Sequence, residues 1–174
     1  RINLALNHQE PDQIPFDLGG SKITGMHVCT VYKLRQALAL DPPGTPVKVI
    51  DPFQMLGELE NDIFQELGII RDVAPLEYDR TIFGFKNEDW KRWDFFDGTP
   101  LLVPAKFSTR PNSKGAIFMY PDGDTSARPS GIMPAGSWYF DIVDRQLPLG
   151  QRELRVEDNQ EEFRLIDDEE ENRI

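Results

Sequence analysis

Apolar residues recur at helical spacing over residues 27–40, where Val28, Val31, Leu34, Ala37 and Leu38 share a face and Lys33 and Arg35 point outward. The spacing predicts a helix there, ended by Asp41-Pro42-Pro43-Gly44-Thr45-Pro46. Ahead of it, Arg1 to His8 reads as the tail of an amphipathic helix with Ile2, Leu4, Ala5 and Leu6 apolar, stopped by Pro11 and Pro15. Ile14-Pro15-Phe16-Asp17-Leu18 is short and apolar, as a buried parallel strand would be, and Gly19 and Gly20 then release the backbone. Val47-Lys48-Val49-Ile50 predicts a second strand, Met55 to Leu67 a second helix closed by Gly68, and Ile69-Ile70-Arg71-Asp72-Val73 a third strand. Strand, helix, strand, helix, strand is the rhythm of a parallel α/β sheet.

The rhythm changes after about residue 80. Residues 82–140 are rich in aromatics, among them Phe83, Phe85, Trp90, Trp93, Phe107, Trp138 and Phe140. Turn signals at Asp97-Gly98, Asn112-Ser113, Pro121-Asp122-Gly123 and Pro134-Ala135-Gly136 punctuate them. This is antiparallel hairpin material. One hairpin joins Trp93-Asp94-Phe95-Phe96 to Leu101-Leu102-Val103 across Asp97-Gly98-Thr99-Pro100. The division that follows is an α/β segment over residues 1–80, a β-rich insertion over 81–150, and an acidic segment over 151–174 that reads as helical near Asp167–Asn172.

At 174 residues the chain is long enough for one domain with a core. Its net charge is -11, of which residues 151–174, with ten acids and four arginines, carry -6. No basic face is visible, so nucleic acid is not an expected partner. No apolar run reaches the roughly 18 residues of a membrane span, and no signal peptide is visible. The single cysteine, Cys29, excludes an internal disulfide and suits a reducing, cytoplasmic compartment.

Asp17 and Asp51 each follow a predicted strand, the position from which a parallel α/β protein lines its active-site face. Two carboxylates there can orient a polar substrate or share acid-base work. Each can instead cap the next turn, and Asp51-Pro52 makes a good helix N-cap with proline at the first helical position. Thr24-Gly25-Met26-His27 adds a hydroxyl and an imidazole near a helix start, where a histidine also serves structurally. Gly19-Gly20-Ser21 matches neither the dinucleotide fingerprint nor the P-loop. One cysteine and two histidines, His8 and His27, do not make a zinc site. Asp122-Gly123-Asp124 lacks the rest of a calcium loop and reads as a tight turn. Cys29, within the first long helix, reads as an inert buried thiol.

Taken in order, Ala5-Leu6-Asn7-His8-Gln9-Glu10-Pro11-Asp12, Ile14-Pro15-Phe16-Asp17-Leu18-Gly19-Gly20 and Thr24-Gly25-Met26-His27 resemble the opening of the uroporphyrinogen decarboxylase-like superfamily. Val47-Lys48-Val49-Ile50-Asp51-Pro52-Phe53-Gln54-Met55-Leu56, Asp97-Gly98-Thr99-Pro100, Tyr120-Pro121-Asp122-Gly123-Asp124 and Trp138-Tyr139-Phe140-Asp141 continue the resemblance. It implies an α/β fold, an incomplete (β/α)8 TIM barrel carrying an antiparallel β-rich insertion, and a chain that is the N-terminal part of a longer protein.

True uroporphyrinogen decarboxylases carry an arginine-rich motif near the first strand. Here Phe16-Asp17-Leu18-Gly19-Gly20-Ser21 has no arginine, and Lys22 is the one cation beside it. The resemblance therefore points first to a corrinoid-dependent methyltransferase-type enzyme, and second to a decarboxylase of porphyrin metabolism. The methyltransferase branch implies zinc, held by one histidine and two cysteines in a later part of the protein, and a corrinoid protein as partner. No cofactor is expected within this segment. A third expectation, from a different class, is a catalytically silent partial domain whose strand edges seek the missing part. The residues expected to contact a small-molecule substrate are Asp17, Ser21, Thr24, His27, Asp51 and Gln54. Trp90, Trp93, Trp138 and Tyr139 offer a lid, a homodimer surface or ordinary core.

Overall fold

The computed structural model describes residues 1–74 and 81–143. The segment 151–174, with its expected helix, lies outside the described residues. The described chain forms two compact units, one of residues 1–74 and 90–103, the other of residues 81–89 and 104–143.

The first unit begins with a short helix α1 (Ile2–Leu6), followed by α2 (Val28–Ala37), β1 (Val47–Asp51), β2 (Leu56–Gly57), α3 (Asn61–Glu66), β3 (Lys91–Asp94) and β4 (Pro100–Val103). The strands form one sheet in the order β2-β1-β4-β3. Only β1 and β4 run parallel, with Val47 opposite Leu101; β1–β2 and β3–β4 are antiparallel. The β3–β4 hairpin turns at Asp97-Gly98, where Gly98 has φ of 84° and Asp97 Oδ1 accepts the Thr99 N–H at 2.9 Å. Burial alternates along β1, so Val47, Val49 and Asp51 face inward. Val28 and Val31 of α2 pack against them, and Ile63 and Phe64 of α3 are buried as well.

This arrangement corrects the expected fold class. The described residues form two mostly antiparallel sheets with three short α-helices, not a (β/α)8 TIM barrel. A barrel step needs a crossover of a dozen or more residues between parallel neighbours. Here residues 52–55 turn β1 straight back into β2, with Met55 at φ of 54°. The expected helix over 55–67 is accordingly reduced to Asn61–Glu66, still closed by Gly68 at φ of 65°. Close packing explains the loss of its first part: a Cβ on Gly57 would sit 2.9 Å from Val31 Cγ2 and 3.0 Å from the Val28 backbone. Gly57 is the residue that lets β2 lie against α2.

Neither Ile14–Leu18 nor Ile69–Val73 forms a strand. Pro15 removes a donor from the first ladder, and the two segments meet at a single residue pair, by one side-chain and one backbone bond, instead. The Phe16 N–H donates to Asp72 Oδ2 at 2.9 Å and the Phe16 carbonyl accepts the Asp72 N–H at 3.2 Å. Ile14 stays 89% exposed, so the run that reads as buried is not core. Arg35, expected on the outer face of α2, is also placed otherwise. Its side chain is buried and held by Asp41 and by both oxygens of Asp62, at 2.9 and 2.8 Å.

In the second unit β5 (Ser108–Pro111), β6 (Ile117–Tyr120), β7 (Gly131–Met133) and β8 (Asp141–Ile142) form an antiparallel meander in sequence order. Registers run Ser108 to Tyr120, Phe118 to Ile132 and Ile132 to Asp141. Its core is aromatic. Phe83 stacks on Phe85 at 6.5 Å and meets Phe140 edge-on at 6.1 Å, and Phe107 meets Phe140 at 6.2 Å. Gly131 is small because the Phe83 ring fills the space, with ring carbon Cε1 2.8 Å from where a Cβ would stand. Phe83→Ala is expected to cost about 3–5 kcal/mol in chemical denaturation, since a ring packed against Gly131 leaves a cavity that the meander cannot close.

Candidate functional site

The residues expected to bind substrate lie on two segments of the first unit, a loop (17–24) leading into α2 and the turn after β1. In the loop, Asp17 is exposed and its Oδ1 accepts the Gly20 N–H at 3.0 Å. Ser21 and Thr24 are bonded to each other: Thr24 Oγ1 accepts the Ser21 N–H at 3.1 Å and lies 3.2 Å from Ser21 Oγ. The Gly19 N–H donates to the Thr24 carbonyl at 2.8 Å and closes the loop. Gly19 turns with φ of 78°, a conformation suited to glycine.

His27 is the N-cap of α2, its Nδ1 accepting the Cys29 N–H at 3.2 Å. Its ring meets Phe95 edge-on at 5.8 Å. The structural role weighed for it in the sequence is thus the one its Nδ1 performs. The two segments are laced together by backbone: the Val28 N–H donates to the Met55 carbonyl at 2.7 Å and the Gly57 N–H to the Met26 carbonyl at 2.9 Å.

Asp51 is the unusual member. It is the last residue of β1 and occupies an inward position of the alternation, 1% exposed, where an apolar residue would normally stand. No helix begins at Pro52, so Asp51 is not the helix cap that Asp51-Pro52 suggests. It holds the turn instead, with Oδ1 accepting the Phe53 N–H at 3.4 Å, and the half-buried Gln54 turns its backbone N–H to the same carboxylate. Oδ2 is buried with no hydrogen-bond partner. Burial pushes the Asp51 carboxyl above the usual range, and the Lys22 charge and the two backbone N–H groups pull it back only in part. Lys22 thereby couples the loop to the turn electrostatically. Such a group, an acceptor kept dry and unused, is a common mark of a functional position.

Arg71 belongs to the same neighbourhood and was not legible as a candidate. Its guanidinium lies over the Phe64 ring at 3.9 Å to the centroid, Nη2 donates to the Leu59 carbonyl at 2.8 Å, and the Asp17 carboxylate is within electrostatic reach. Read as part of an apolar strand, it carries no local signal. Only the approach of residues 69–73 to the loop reveals it. Burial draws its pKa down, opposed by Asp17, and an arginine remains charged regardless.

Other candidates resolve into structure. The Cys29 thiol is buried, and burial raises its pKa, so it is a poor nucleophile. In the second unit Asp122 pairs with Lys106 at 2.6 Å and Asp124 accepts the Ser126 N–H and hydroxyl at 2.8 and 2.6 Å, which is a turn and not a calcium loop. A groove of about 170 Å³ in the first unit is lined by Arg35, Asp41, Lys48, Glu58 and Glu60, which pair with one another, Arg35 with Asp41 and Glu60 and Lys48 with Glu58 at 3.1 Å. Among the described residues no three of His, Cys, Asp and Glu are grouped to hold a metal ion. No described helix is long and apolar enough to cross a membrane.

Compared with known proteins, the chain matches no family model, no curated protein and no solved structure.

Proposed function

We propose that this chain supplies substrate-contacting residues to an enzyme of the uroporphyrinogen decarboxylase-like kind, of corrinoid-dependent methyltransferase type. The observation that carries the reading is the buried Asp51 with its unused Oδ2, set beside the Lys22-bearing loop by the lacing of segments 26–28 and 55–57. The two stretches that carry much of the resemblance, far apart in sequence, are thus neighbours in space. A dry carboxylate oxygen accepts an N–H or O–H from a small polar molecule and fixes its orientation. In this reading Asp51 holds the substrate, and Ser21, Thr24 and Gln54 shape the loop and turn around it. Any zinc and the corrinoid partner are supplied outside the described residues.

One observation favours the second reading, a carboxy-lyase acting on a porphyrinogen or related acid. Arg71 gives this neighbourhood the arginine that Phe16–Ser21 lacks. The test offers the complete gene product cob(I)alamin with methylated amines, thioethers and aryl ethers, and separately uroporphyrinogen III. Formation of methylcobalamin supports methyl transfer. Release of carbon dioxide with coproporphyrinogen formation supports the lyase. Neither product from a folded protein would remove both readings and leave the catalytically silent alternative.

A further inference from the structure

Residues 1–16 add nothing to the buried core. Helix α1 buries no side chain, Leu6 is 74% exposed, and none of residues 1–16 is buried. Among the described residues, every hydrogen bond and ion pair that leaves this segment ends on Asp72. Arg1 Nη1 donates to Asp72 Oδ1 at 3.3 Å, the Phe16 N–H to Oδ2 at 2.9 Å, and the Asp72 N–H to the Phe16 carbonyl at 3.2 Å. The other bonds of the segment stay inside it, chief among them Arg1 Nε and Nη2 to the two oxygens of Asp12, both at 2.7 Å.

A segment that buries no apolar surface has no hydrophobic term to hold it in place, so it opens on the loss of its polar contacts alone. The contacts here are stronger than those of an open surface. The side chains of Arg1 and Asp72 are only 15% and 10% exposed, which shields their attraction from water and from salt. The same stretch of chain also grips the loop that follows. Val73, next to Asp72, packs on Gly20 so closely that a Cβ there would stand 2.5 Å from Val73 Cγ1. Between the two grips, at Phe16 and at Gly20, lies Asp17, whose Oδ1 accepts the Gly20 N–H at 3.0 Å. Release at Phe16 leaves Asp17 without a fixed neighbour on its N-terminal side, and the Gly20 tie loses its anchor.

We propose that residues 1–16 form a strap, latched to the first unit at Asp72, that opens without unfolding the unit and loosens loop 17–24 when it does. The inference does not depend on any substrate, because it is read from amide exchange. The experiment follows hydrogen–deuterium exchange of the ¹⁵N-labelled chain, residue by residue, at neutral pH. Asp72→Ala is expected to speed exchange of the Phe16 amide about tenfold and to speed the Gly20 amide in the same direction, with the amides of β1 and β4 unchanged. Asp72→Asn keeps an acceptor for the Phe16 N–H but removes the charge that Arg1 faces, and is expected to speed both amides by less. Asp12→Asn breaks only a bond within the strap and is expected to leave the Phe16 rate as in the parent. Equal Phe16 rates in the parent and Asp72→Ala would overturn the latch. A faster Phe16 with an unchanged Gly20 would overturn its coupling to the loop. Equal acceleration in β1 and β4, or an Asp72→Ala chain that does not fold, would make Asp72 a support of the whole unit and overturn the strap. An Asp12→Asn variant that opens as far as Asp72→Ala would overturn Asp72 as the latch.

Discussion

Asp51→Asn is expected to make the protein more stable at pH 7, by about 1 kcal/mol, and, under the proposed function, to lower kcat/KM by roughly 10- to 100-fold. Both effects have one cause. Asp51 is 1% exposed, and its Oδ2 has no partner. Ionising it in the native state is unfavourable, which is why its carboxyl titrates above the usual range. The sign follows from linkage. As pH rises past the ordinary aspartate value of about 3.9, the unfolded chain releases its proton while the native chain still holds it. Stability therefore falls with rising pH until the native carboxyl also ionises. Asparagine keeps the Oδ1 contact to the Phe53 N–H and removes this pH-dependent loss. Urea unfolding at pH 3, 5 and 7 checks it: the variant should match the parent at pH 3 and exceed it at pH 7. The loss of activity follows because an amide nitrogen replaces the acceptor that the substrate would use. A variant that is less stable at pH 7 would show that Asp51 is a structural cap. One that is more stable and fully active would show that Oδ2 contacts no substrate.

A large stability loss is also expected at Arg35. Arg35→Ala should cost about 3–5 kcal/mol, because it leaves acidic partners drawn into a partly buried cluster without their cation. Arg35 is buried on α2 and holds Asp41, Asp62 and, at 3.6 Å, Glu60, so it ties α2 to the loop after it and to the start of α3. The Asp62 carboxyl is held below the usual range, chiefly by its hydrogen bonds from Arg35. Its contribution is therefore full above the ordinary aspartate value and fades as pH falls through the lower native one. The gap between parent and Arg35→Ala should narrow below about pH 4 as the Asp62 carboxylate takes up its proton. Asp62 is 37% exposed on its side chain, so water screens part of the effect. Arg35→Met, which keeps the buried stem, separates charge from packing and is expected to lose less than alanine. Equal losses for both variants at pH 3 and pH 7 would assign the role to packing alone.

Local patterns carried a definite share of this molecule. The helical spacing of Val28 and Val31, the stop at Asp41–Pro46, the strand Val47–Ile50, the Gly68 stop and the Asp97-Gly98 hairpin are all features whose cause lies within a few residues. The later part of the aromatic stretch, from Ser108 on, likewise forms an antiparallel meander, because turn glycines and alternating side chains act over short range. The expected barrel was not carried by such patterns. It depended on Ile14–Leu18, Ile69–Val73 and the residues after Pro52 having particular partners, and partners are a long-range matter. Pro15 withheld a donor, Asp72 met the Phe16 backbone with a side chain, and Gly57 let a strand form where helical spacing was read.

For the site, the residue types at Asp17, Ser21, Thr24, His27, Asp51 and Gln54 and their position at segment ends could be read directly. What each does could not. His27 became a cap and Ser21 and Thr24 became loop ties, because each found a partner within three residues. Asp51 became the exceptional group because β1 kept its alternation one residue beyond the apolar run and turned the carboxylate inward. Arg71 entered the neighbourhood only because residues 69–73 fold back against the loop. The chain by itself determined short-range elements and the inventory of reactive groups, since propensity and turn chemistry act locally. Burial, the pairing of distant segments and the unused oxygen of Asp51 were decided by tertiary packing, which alone sets which groups lose water and which find a partner.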